Sequence, residues 1–343
     1  MSIDNSTISR LGNSGLKINH AVVGTMLIGT NNNGIFANGV DEDENSMELL
    51  KKCYDKGLRT FDTADVYSSG HSEVVLGKFL KKYDIPRSSV VILTKCYFAV
   101  DTYDKNRKEG LNLNKLGLSR KHILDAVDDS VRRLGTHIDL LQIHRYDPNV
   151  PDEEVMRALN DVVESGKVRY LGASSMKTYQ FIGLQHTAEL NGWHKFISMQ
   201  SMYNLIYRED ERELNAYCNH AGIGLLPWSP NARGLLALPW TSAKIQEKLA
   251  NPEAYGLNYM GLDVGHDKPI IDRVEELSKK YNCTMAEIAG AWLVAKGTHP
   301  IIGVNLEQAV DAMVAMAHTN LSKEDVEYLE EPYKAKRLVF TSS

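Results

Sequence analysis

The chain has 343 residues, of which 43% are hydrophobic and 24% are charged, and its formal net charge is -5. This is an ordinary globular composition without a long run of lysine or arginine, so nucleic acid is not an expected partner. No run of 18 apolar residues and no apolar signal-peptide core occurs, so we expect neither a membrane span nor secretion.

The first element in chain order is a predicted β-hairpin at about 8–19, where the segment "ISRLGNSGLKIN" turns at Asn13-Ser14-Gly15. Eight short β-rich runs follow, separated by amphipathic segments. In order they are AVVGTM, RTFDTA, VVILTKC, IDLLQIH, VRYLGASS, FISMQSMY, IGLLPWS and HPIIG. Most are nearly continuous apolar runs, which is typical of parallel strands covered on both faces.

Helical segments fill the gaps between these runs. The clearest begins with a predicted cap at Ser119 and ends at Gly135, and the next one stops at Gly166. Two helices are expected before the eighth strand, one of them in "TMAEIAGAWLVAKG". The connection from Ser229 to about His266 is too long for an ordinary loop and predicts a functional flap.

Eight strand-helix units predict an α/β fold, a (β/α)8 TIM barrel with an N-terminal β-hairpin and a C-terminal helical extension. The alternative is a doubly wound open sheet, which would favour G-x-G-x-x-G after the first strand, and the chain lacks that motif. We therefore predict a single domain over 1–343, with the barrel at about 21–317 and a helical tail at 318–343.

Polar side chains recur where the predicted strands end. In a barrel, such ends meet at one mouth, where functional groups gather. Four of these residues form a chemically coherent set: Asp62, Tyr67, Lys95 and His144. Later strand ends carry Ser174, Ser175, Gln200, Trp228, Ser229 and Gly303.

The set of four suits the transfer of a proton to a carbonyl oxygen. A free tyrosine titrates near ~10 and is a poor acid at neutral pH. We expect Lys95, held charged by Asp62, to lower the pKa of Tyr67, and His144 to orient the substrate oxygen. Each residue alone has an ordinary explanation, such as a turn residue, a solvent-directed lysine or a core histidine. Their complementary roles on successive strand ends favour a reductase site, whose hydride must come from a bound cofactor.

Other classes of site lack support in the sequence. The four cysteines are far apart and show no metal-ligand spacing, so we predict no bound metal and a cytoplasmic, reduced protein. No G-x-S-x-G, H-E-x-x-H or P-loop motif occurs, which argues against a serine hydrolase, a zincin or a P-loop NTPase.

Seven segments, in this order, resemble the aldo-keto reductase superfamily, and the resemblance runs from about Ile8 to Ala317. They are RTFDTADVYSSGHSE, VVILTK, IDLLQIHRYDP, GKVRYLGASS, MQSMYNLIYREDERE, GIGLLPWSPNARGLL and HPIIGVNLEQAVDA. The segments YLGASSM and YREDERE are most similar to the microbial aryl-alcohol dehydrogenase-like branch.

The resemblance implies a catalytic tetrad of Asp62, Tyr67, Lys95 and His144, with Tyr67 as the proton donor. It implies a nicotinamide carboxamide held by two serines and a glutamine, a tryptophan against the nicotinamide ring, and a pyrophosphate along the segment 229–233. The implied cofactor contacts are Gly24, Thr25, Met26, Asp62, Ser174, Ser175, Gln200, Trp228, Ser229, Pro230, Asn231, Ala232, Arg233, Gly303, Asn305 and Gln308. Without the resemblance, core packing would explain Trp228 and an ordinary turn would explain "SPNARG".

Three departures from the family pattern concern the cofactor. Asn231 stands where relatives commonly have leucine, and Ser201 stands where this branch often has asparagine. The segment "GVNLEQA" is one residue shorter than usual, and Gln308 falls where NADP-specific members often have arginine. We therefore favour NADP(H) but keep NAD(H) as an alternative, with Arg233 and Lys244 as candidate phosphate-binding bases.

We predict NADPH-dependent, reversible reduction of a small-molecule aldehyde or ketone, with Tyr67 and His144 at the substrate oxygen. Tyr97, Phe98, Tyr103, Tyr146 and Trp240 lie in predicted mouth loops and favour an aromatic or medium-sized aliphatic carbonyl, although simple loop packing explains them equally well. The alternatives are a non-catalytic nucleotide-sensing subunit of the channel β-subunit type and an aldolase with a Schiff base on Lys95. The sequence leaves the physiological substrate, the favoured direction and the oligomeric state open.

Overall fold

The eight predicted barrel strands form one sheet. The computed structural model describes residues 5–29, 43–100, 113–258, 261 and 264–338, so the predicted mouth residue Tyr103 lies outside the described residues. The strands are β3 (Val22–Gly24), β4 (Thr60–Asp62), β5 (Val91–Cys96), β6 (Ile138–Ile143), β7 (Val168–Ser174), β8 (Phe196–Gln200), β9 (Gly224–Leu225) and β10 (Ile301–Gly303).

The sheet closes on itself into a barrel. Its order is β10-β3-β4-β5-β6-β7-β8-β9, and each neighbouring pair is parallel. The two outer strands are joined by backbone hydrogen bonds, from His299 N to Leu225 O at 2.9 Å and from Ile301 N to Pro227 O at 2.8 Å. A closed ring of eight parallel strands is the predicted (β/α)8 fold, and this prediction is confirmed.

Eleven α-helices occur among the described residues, and most follow a barrel strand. In α3, Ser119 Oγ accepts from His122 N at 3.2 Å and Gly135 ends the helix with a φ of 68°, as the capping signals predict. The helices are α1 (Asp43–Asp55), α2 (His71–Lys82), α3 (Arg120–Leu134), α4 (Asp152–Glu164), α5 (Thr178–Asn191), α6 (Leu214–Ala221), α7 (Ala243–Ala250), α8 (Val264–Tyr281), α9 (Met285–Ala295), α10 (Glu307–Met316) and α11 (Lys323–Glu330).

The predicted hairpin is present and closes the amino-terminal end of the barrel. Its strands β1 (Ile8–Arg10) and β2 (Lys17–Asn19) are antiparallel. Gly12 in the connecting turn has a φ of 57°, and a Cβ there would lie 2.3 Å from Gly222 O, so only glycine fits. The buried side chains at this end are Leu11, Ile18, Val22, Leu93, Leu140, Leu226 and Ile301. The carboxyl ends of the strands are left for a site.

The flap after β9 contains a helix that the sequence analysis did not predict. Three helices, α7, α8 and α9, precede β10, whereas two were expected. The missed signal is Ser242, whose Oγ accepts from Ile245 N at 3.4 Å and caps α7. None of the helices in the described part of the chain is both long and apolar enough to cross a membrane.

The carboxyl-terminal extension is helical in α11 and then follows a non-helical path over 331–338. Pro332 interrupts the helical pattern directly after α11. Lys336 fastens this segment to the body of the protein, because its Nζ binds Asp267 Oδ2 at 2.6 Å and its N donates to Glu209 Oε1 at 2.7 Å.

Candidate active site

Inward-facing side chains from four strands meet near the carboxyl end of the barrel. Successive residues of a strand face opposite sides of the sheet, so Asp62, Lys95, Gln142 and Gln200 all enter the barrel interior. The register pairs Lys95 with Gln142 and Ser174 with Gln200. All five residues are buried.

Tyr67 is held by a tight turn directly after β4. The short 3-10 helix Tyr67–Gly70 contains two serines in left-handed backbone conformation, Ser68 with a φ of 48° and Ser69 with a φ of 54°. Such conformations cost of the order of 1 kcal/mol for each residue that is not glycine. The turn is nevertheless ordered, since Ser68 Oγ donates to Ile28 O at 3.2 Å and α2 follows immediately. The position of Tyr67 is therefore well defined.

The ammonium group of Lys95 lies at the centre of the site. Its Nζ donates to Asp62 Oδ2 at 2.5 Å, to Thr63 O at 2.8 Å and to Tyr67 Oη at 3.2 Å. The Lys95 side chain is 0% exposed and that of Asp62 is 2% exposed. All three donors of the ammonium are used, as a buried charge requires. Three of the four predicted tetrad residues are thus in direct contact.

The second oxygen of Asp62 is bound by two buried amides. Asp62 Oδ1 accepts from Gln142 Nε2 at 3.0 Å and from Gln200 Nε2 at 2.9 Å. Gln200 Nε2 also donates to Gln142 Oε1 at 2.8 Å. Gln142 was missed in the sequence, although a polar residue at an inward position of the run "IDLLQIH" was a usable signal. The nitrogen of the Gln200 amide is fully used inside the protein.

The net effect of the site on Tyr67 differs from the expected one. Burial raises the pKa of Tyr67, and the nearby Lys95 ammonium only partly offsets this, so the pKa lies above its usual value. The predicted lowering was therefore wrong in sign, because desolvation of the phenol outweighs the charge of Lys95. Burial alone would lower the pKa of Lys95, but the charges and hydrogen bonds of Asp62 and Tyr67 raise it. At neutral pH the site holds a phenol beside an ammonium.

His144 lies against Tyr67 as a neutral imidazole. Their ring centroids are 6.0 Å apart in an edge-to-face arrangement. Burial, together with the charges of Lys95 and Arg145, lowers the pKa of His144 well below its usual value. Its Nδ1 is buried and has no hydrogen-bond partner among the described residues. The ring of Phe98 lies 5.1 Å from that of His144. All four tetrad residues are thus brought together.

The recorded contacts of the two predicted substrate tyrosines are with residues outside the tetrad. Tyr97 contacts the ring of Phe98, with centroids 5.0 Å apart. Tyr146 donates its hydroxyl to Asp152 Oδ1 at 3.2 Å, at the start of α4. Both tyrosines also pack against the main core between the barrel and its helices. Phe98 is therefore the one of these three aromatic side chains with a recorded ring contact to a tetrad residue, His144.

Two serines and a tryptophan border the Gln200 side of the mouth. Ser174 and Ser175 hydroxyls are 3.2 Å apart, and Trp228 Nε1 donates to Ser175 Oγ at 3.2 Å. Ser175 has a left-handed φ of 47°, and its N donates to Gln200 O at 3.1 Å. These predicted contacts of a nicotinamide carboxamide are adjacent to one another.

The predicted contacts at β3 divide into two kinds. Thr25 is fully buried and its hydroxyl donates to Asp62 O at 3.0 Å, so it supports the strand that carries Asp62. Gly24 is paired with Asp62 in the register, and a Cβ there would lie 2.9 Å from Ile301 Cγ2. Met26 is 41% exposed. Only Met26 of these three presents a side chain outward.

The start of the flap has a strained backbone. Left-handed φ values of 55°, 46° and 54° occur at Ser229, Ala232 and Arg233. Pro230 is buried between them. The Oδ1 atom of Asn231 is buried and has no partner among the described residues. Strained backbone beside an unsatisfied polar atom is typical of ligand-binding segments.

Basic side chains gather beside this segment. Lys248 Nζ in α7 donates to Arg233 O. Burial lowers the pKa of Lys248, and the positive charges of Arg233 and Lys244 lower it further. The combined positive charge of Arg233, Lys244 and Lys248 would attract an anion such as a phosphate.

The predicted adenosine end lies between β10 and α10. Gly303 ends β10, Asn305 follows it, and Gln308 is exposed in the first turn of α10. The neighbouring Glu307 forms an ion pair with Lys52 of α1. The positive end of the α10 dipole favours an anion here, whereas Gln308 itself brings no charge. No cluster of three or more potential metal ligands occurs among the described residues.

Comparison with known proteins gives a consistent set of relatives. A family model described as "Aldo/keto reductase family" matches residues 22–334. A putative aryl-alcohol dehydrogenase of Schizosaccharomyces pombe is 52% identical over 337 residues, which cover 94% of each protein. A versiconal hemiacetal acetate reductase of Aspergillus parasiticus is 50% identical over 341 residues, covering 96% of this chain and 98% of that protein.

A solved structure supports the same assignment. The crystal structure of a thermostable aldo-keto reductase in complex with the inhibitor epalrestat aligns with a TM-score of 0.73 and 26% identity. The alignment covers 95% of this chain and 99% of that one. The similarity therefore extends over the whole barrel.

Proposed function

This chain belongs to the aldo/keto reductase family and is similar over nearly its full length to aryl-alcohol dehydrogenase-like members. We propose that it reduces aldehydes or ketones to alcohols with NADPH. The observation that carries this proposal is the half-buried Tyr67 phenol, 3.2 Å from a fully buried Lys95 ammonium that is paired with Asp62. Such a phenol is a proton donor placed beside a fixed positive charge. An oxygen that gains negative charge during reduction needs both.

In this mechanism Tyr67 gives its proton to the substrate oxygen. The bound NADPH would supply the hydride to the carbonyl carbon. The raised pKa keeps Tyr67 protonated before the reaction, and Lys95 stabilises the phenolate that remains afterwards. Neutral His144 is available to orient the substrate oxygen. In the reverse reaction, the Tyr67 phenolate accepts the proton of the alcohol.

The residues present at the site are suited to binding the carboxamide and the phosphates of the cofactor. Ser174, Ser175 and Gln200 offer hydroxyl and amide groups to a carboxamide, and Trp228 lies beside them. The basic group formed by Arg233, Lys244 and Lys248 supports binding of the cofactor phosphates. The unpaired Asn231 Oδ1 adds a buried acceptor in the same segment.

Aromatic carbonyl compounds are the favoured substrate class. Phe98 forms one wall beside His144, and Arg145 lies over the ring of Phe98 at 5.7 Å. The names of two close relatives refer to an aryl alcohol and to a hemiacetal acetate. Both names are consistent with the proposal that the substrate of this chain accepts the hydride at a carbonyl carbon. The substrate itself and the cytoplasmic location stay predictions.

The aldolase alternative is disfavoured by the state of Lys95. A Schiff base needs a neutral amine, whereas the ion pair with Asp62 raises the pKa of Lys95 despite its burial. The channel-subunit alternative has no separate observation in its favour. NADPH consumption with a panel of aromatic aldehydes, aliphatic aldehydes and ketones tests the proposal directly. Absence of turnover with every class, in protein that binds NADPH, would favour the binding-subunit alternative.

Gln308→Arg should tighten NADPH binding and leave NADH binding nearly unchanged. An arginine would meet the 2′-phosphate with charge-assisted hydrogen bonds, which are roughly twice as strong as neutral ones. Each such bond should add about 1 kcal/mol, or about fivefold in affinity. The gain should shrink as salt is raised, because Gln308 is exposed. Dissociation constants from tryptophan fluorescence quenching measure both effects.

Asn320→Arg is the matched control for this prediction. It adds the same charge just beyond the far end of α10, a 10-residue helix about 15 Å long. That separation exceeds the Debye length of about 10 Å at 0.1 M salt. The control should leave both constants unchanged. An equal shift for NADPH and NADH in Gln308→Arg would mean that Gln308 does not face the 2′-position.

A further inference from the structure

A buried ion pair lies directly behind the turn that carries Tyr67. Arg133 Nε of α3 donates to Glu73 Oε2 of α2 at 2.7 Å, and the two side chains are 14% and 0% exposed. Glu73 Oε1 accepts from Thr94 Oγ1 of β5 at 2.6 Å. Thr94 is the residue directly before Lys95. The ion pair therefore joins α3 and α2 to the strand that carries the ammonium of the site.

The Glu73 side chain is not used to cap its own helix. Because α2 begins after Gly70, Glu73 is its third residue, where a glutamate often binds the backbone at the helix start. The start of α2 has no side-chain cap, and the Glu73 carboxylate is directed into the protein instead. The neighbouring Ser72 is also buried, and its Oγ lies 2.9 Å from Thr25 Oγ1 and 3.0 Å from Thr63 Oγ1. The first turn of α2 is thus bound to residues near the carboxyl ends of β3, β4 and β5.

Arg133 also contacts the turn itself. Gly70 has a φ of 87°, and a Cβ there would lie 3.0 Å from Arg133 Cδ and 3.1 Å from its Nε. The guanidinium is kept in place by Glu73 and by Ser130 Oγ, which accepts from Arg133 Nη2 at 3.1 Å. The two serines between Tyr67 and Gly70 have left-handed conformations, which persist only where the surroundings enforce them. The Arg133 side chain against Gly70 is such a constraint.

A second buried carboxyl, that of Asp65, does not take part in this ion pair. Asp65 is 0% exposed, and neither of its carboxyl oxygens has a hydrogen-bond partner among the described residues. Burial and the charge of Glu73 raise the pKa of Asp65 well above its usual value, although the charge of Arg133 opposes this. A buried carboxyl without hydrogen bonds is disfavoured in its charged form. The guanidinium is therefore paired with Glu73.

We propose that Arg133 and Glu73 are positioning residues for the proton donor. They hold the turn 67–70 against the end of β5, so that the Tyr67 hydroxyl stays within hydrogen-bonding distance of Lys95, at 3.2 Å. This role rests on the reductase function proposed above, in which Tyr67 gives its proton to the substrate. A displacement of about 1 Å at a reacting group can lower a rate about 100-fold. The ion pair therefore acts on the chemical step through the backbone of the turn.

Arg133→Met tests this role, because it removes the guanidinium and keeps a long side chain. The single-turnover rate of carbonyl reduction should fall about 10- to 100-fold, since the turn is no longer held against β5. The dissociation constant of NADPH, measured by tryptophan fluorescence quenching, and the KM of the carbonyl compound should each change less than about threefold. This division between rate and binding is expected because the change affects the proton donor and leaves the cofactor contacts in place.

The same change in a Tyr67→Phe background separates positioning from a general loss of structure. A residue that acts only through the Tyr67 hydroxyl has nothing to position when that hydroxyl is absent. Arg133→Met should then lower the remaining rate by no more than about twofold. A role in the overall fold would instead lower the rate by the same factor in both backgrounds.

Arg87→Met is the matched control, because Arg87 forms a similar ion pair at the opposite end of β5. Its Nη2 lies 2.6 Å from Asp139 Oδ2, and the two side chains are 21% and 14% exposed. Arg87 begins the short 3-10 helix just before this strand. Urea unfolding should show a loss of stability in both arginine variants. Arg87→Met should nevertheless keep the wild-type single-turnover rate within about twofold, since it lies far from the Tyr67 turn.

Thr94→Val provides the test if Arg133→Met does not fold. It removes only the hydroxyl that binds Glu73, so the rate should fall about three- to tenfold, and less than about twofold in the Tyr67→Phe background. An unchanged rate in the variant measured, equal factors in both backgrounds, or the same loss in Arg87→Met would overturn the positioning role and leave the reductase function intact. A wild-type protein that binds NADPH and reduces no carbonyl would instead overturn that function, and this role with it.

Discussion

Replacing Tyr67 with phenylalanine should lower the rate of carbonyl reduction at least about 100-fold, the usual contribution of a positioned acid. The ring keeps its shape, and only the donated proton is lost. Lys95 loses one hydrogen-bond acceptor but keeps Asp62 Oδ2 at 2.5 Å and Thr63 O at 2.8 Å, so NADPH affinity should change little. Single-turnover measurement of NADPH consumption is the appropriate assay, because slow product release can hide a loss in the chemical step.

Tyr170→Phe provides the matched control, since Tyr170 packs against the buried cluster at the opposite end of the barrel. It removes a phenol from the same barrel and should keep the wild-type rate. The raised pKa of Tyr67 adds a second readout. Wild-type reduction should stay level between about pH 6 and pH 9, whereas alcohol oxidation should increase with pH because it begins from the phenolate. A Tyr67→Phe protein that keeps most of its single-turnover rate would exclude Tyr67 as the acid.

The barrel could be predicted because its signals are local and repeated. Each parallel strand is covered on both faces, so runs such as "VVILTKC" are apolar throughout, and capping residues such as Ser119 and Gly135 mark the helix ends. The predicted strands nevertheless exceed the observed ones. The run starting at Ile223 keeps only Gly224–Leu225 as a strand, because Pro227 cannot donate to the ladder.

The strand-end residues of the site could also be predicted, because the barrel brings the carboxyl ends of its strands together. Gln142 was missed because it does not lie at a strand end. It lies two residues before His144, inside a strand, where a polar residue has no evident role until its partners are known. Its partners Asp62 and Gln200 are 80 and 58 residues away in the sequence, and only the closed barrel brings them within hydrogen-bonding distance.

The sign of the pKa shift of Tyr67 could not be predicted from residue identities. A tyrosine beside a lysine was expected to be more acidic, and the lysine does act in that direction. The opposing effect of desolvation depends on how far the surrounding residues exclude water from the phenol. The degree of desolvation is set by the packing of segments that are distant in the sequence. A nearby charge can be read from sequence motifs, whereas the depth of burial cannot.

Asp62 and Lys95 should behave as one unit in a double-mutant cycle of unfolding free energy. Asp62→Asn leaves a buried ammonium, and Lys95→Met leaves a buried carboxylate bound only by amides, so each single change should cost about 3 to 5 kcal/mol. The double variant removes both charges. Its cost should therefore be smaller than the sum of the single costs by about 1 to 3 kcal/mol. Urea unfolding of the four proteins without cofactor measures this coupling.

Lys51 and Asp55 of α1 provide a control pair with similar geometry and different burial. Their charged groups are 2.7 Å apart, but the side chains are 31% and 51% exposed. Water screens such a pair, so its coupling should not exceed about 0.5 kcal/mol. A large coupling at Asp62 and Lys95 together with a small one here would assign the effect to burial. If the costs at Asp62 and Lys95 instead add within about 0.5 kcal/mol, each charge is compensated by other groups. Groups other than Asp62 would then stabilise the protonated state of Lys95. The stabilisation of the Tyr67 phenolate would need a different explanation.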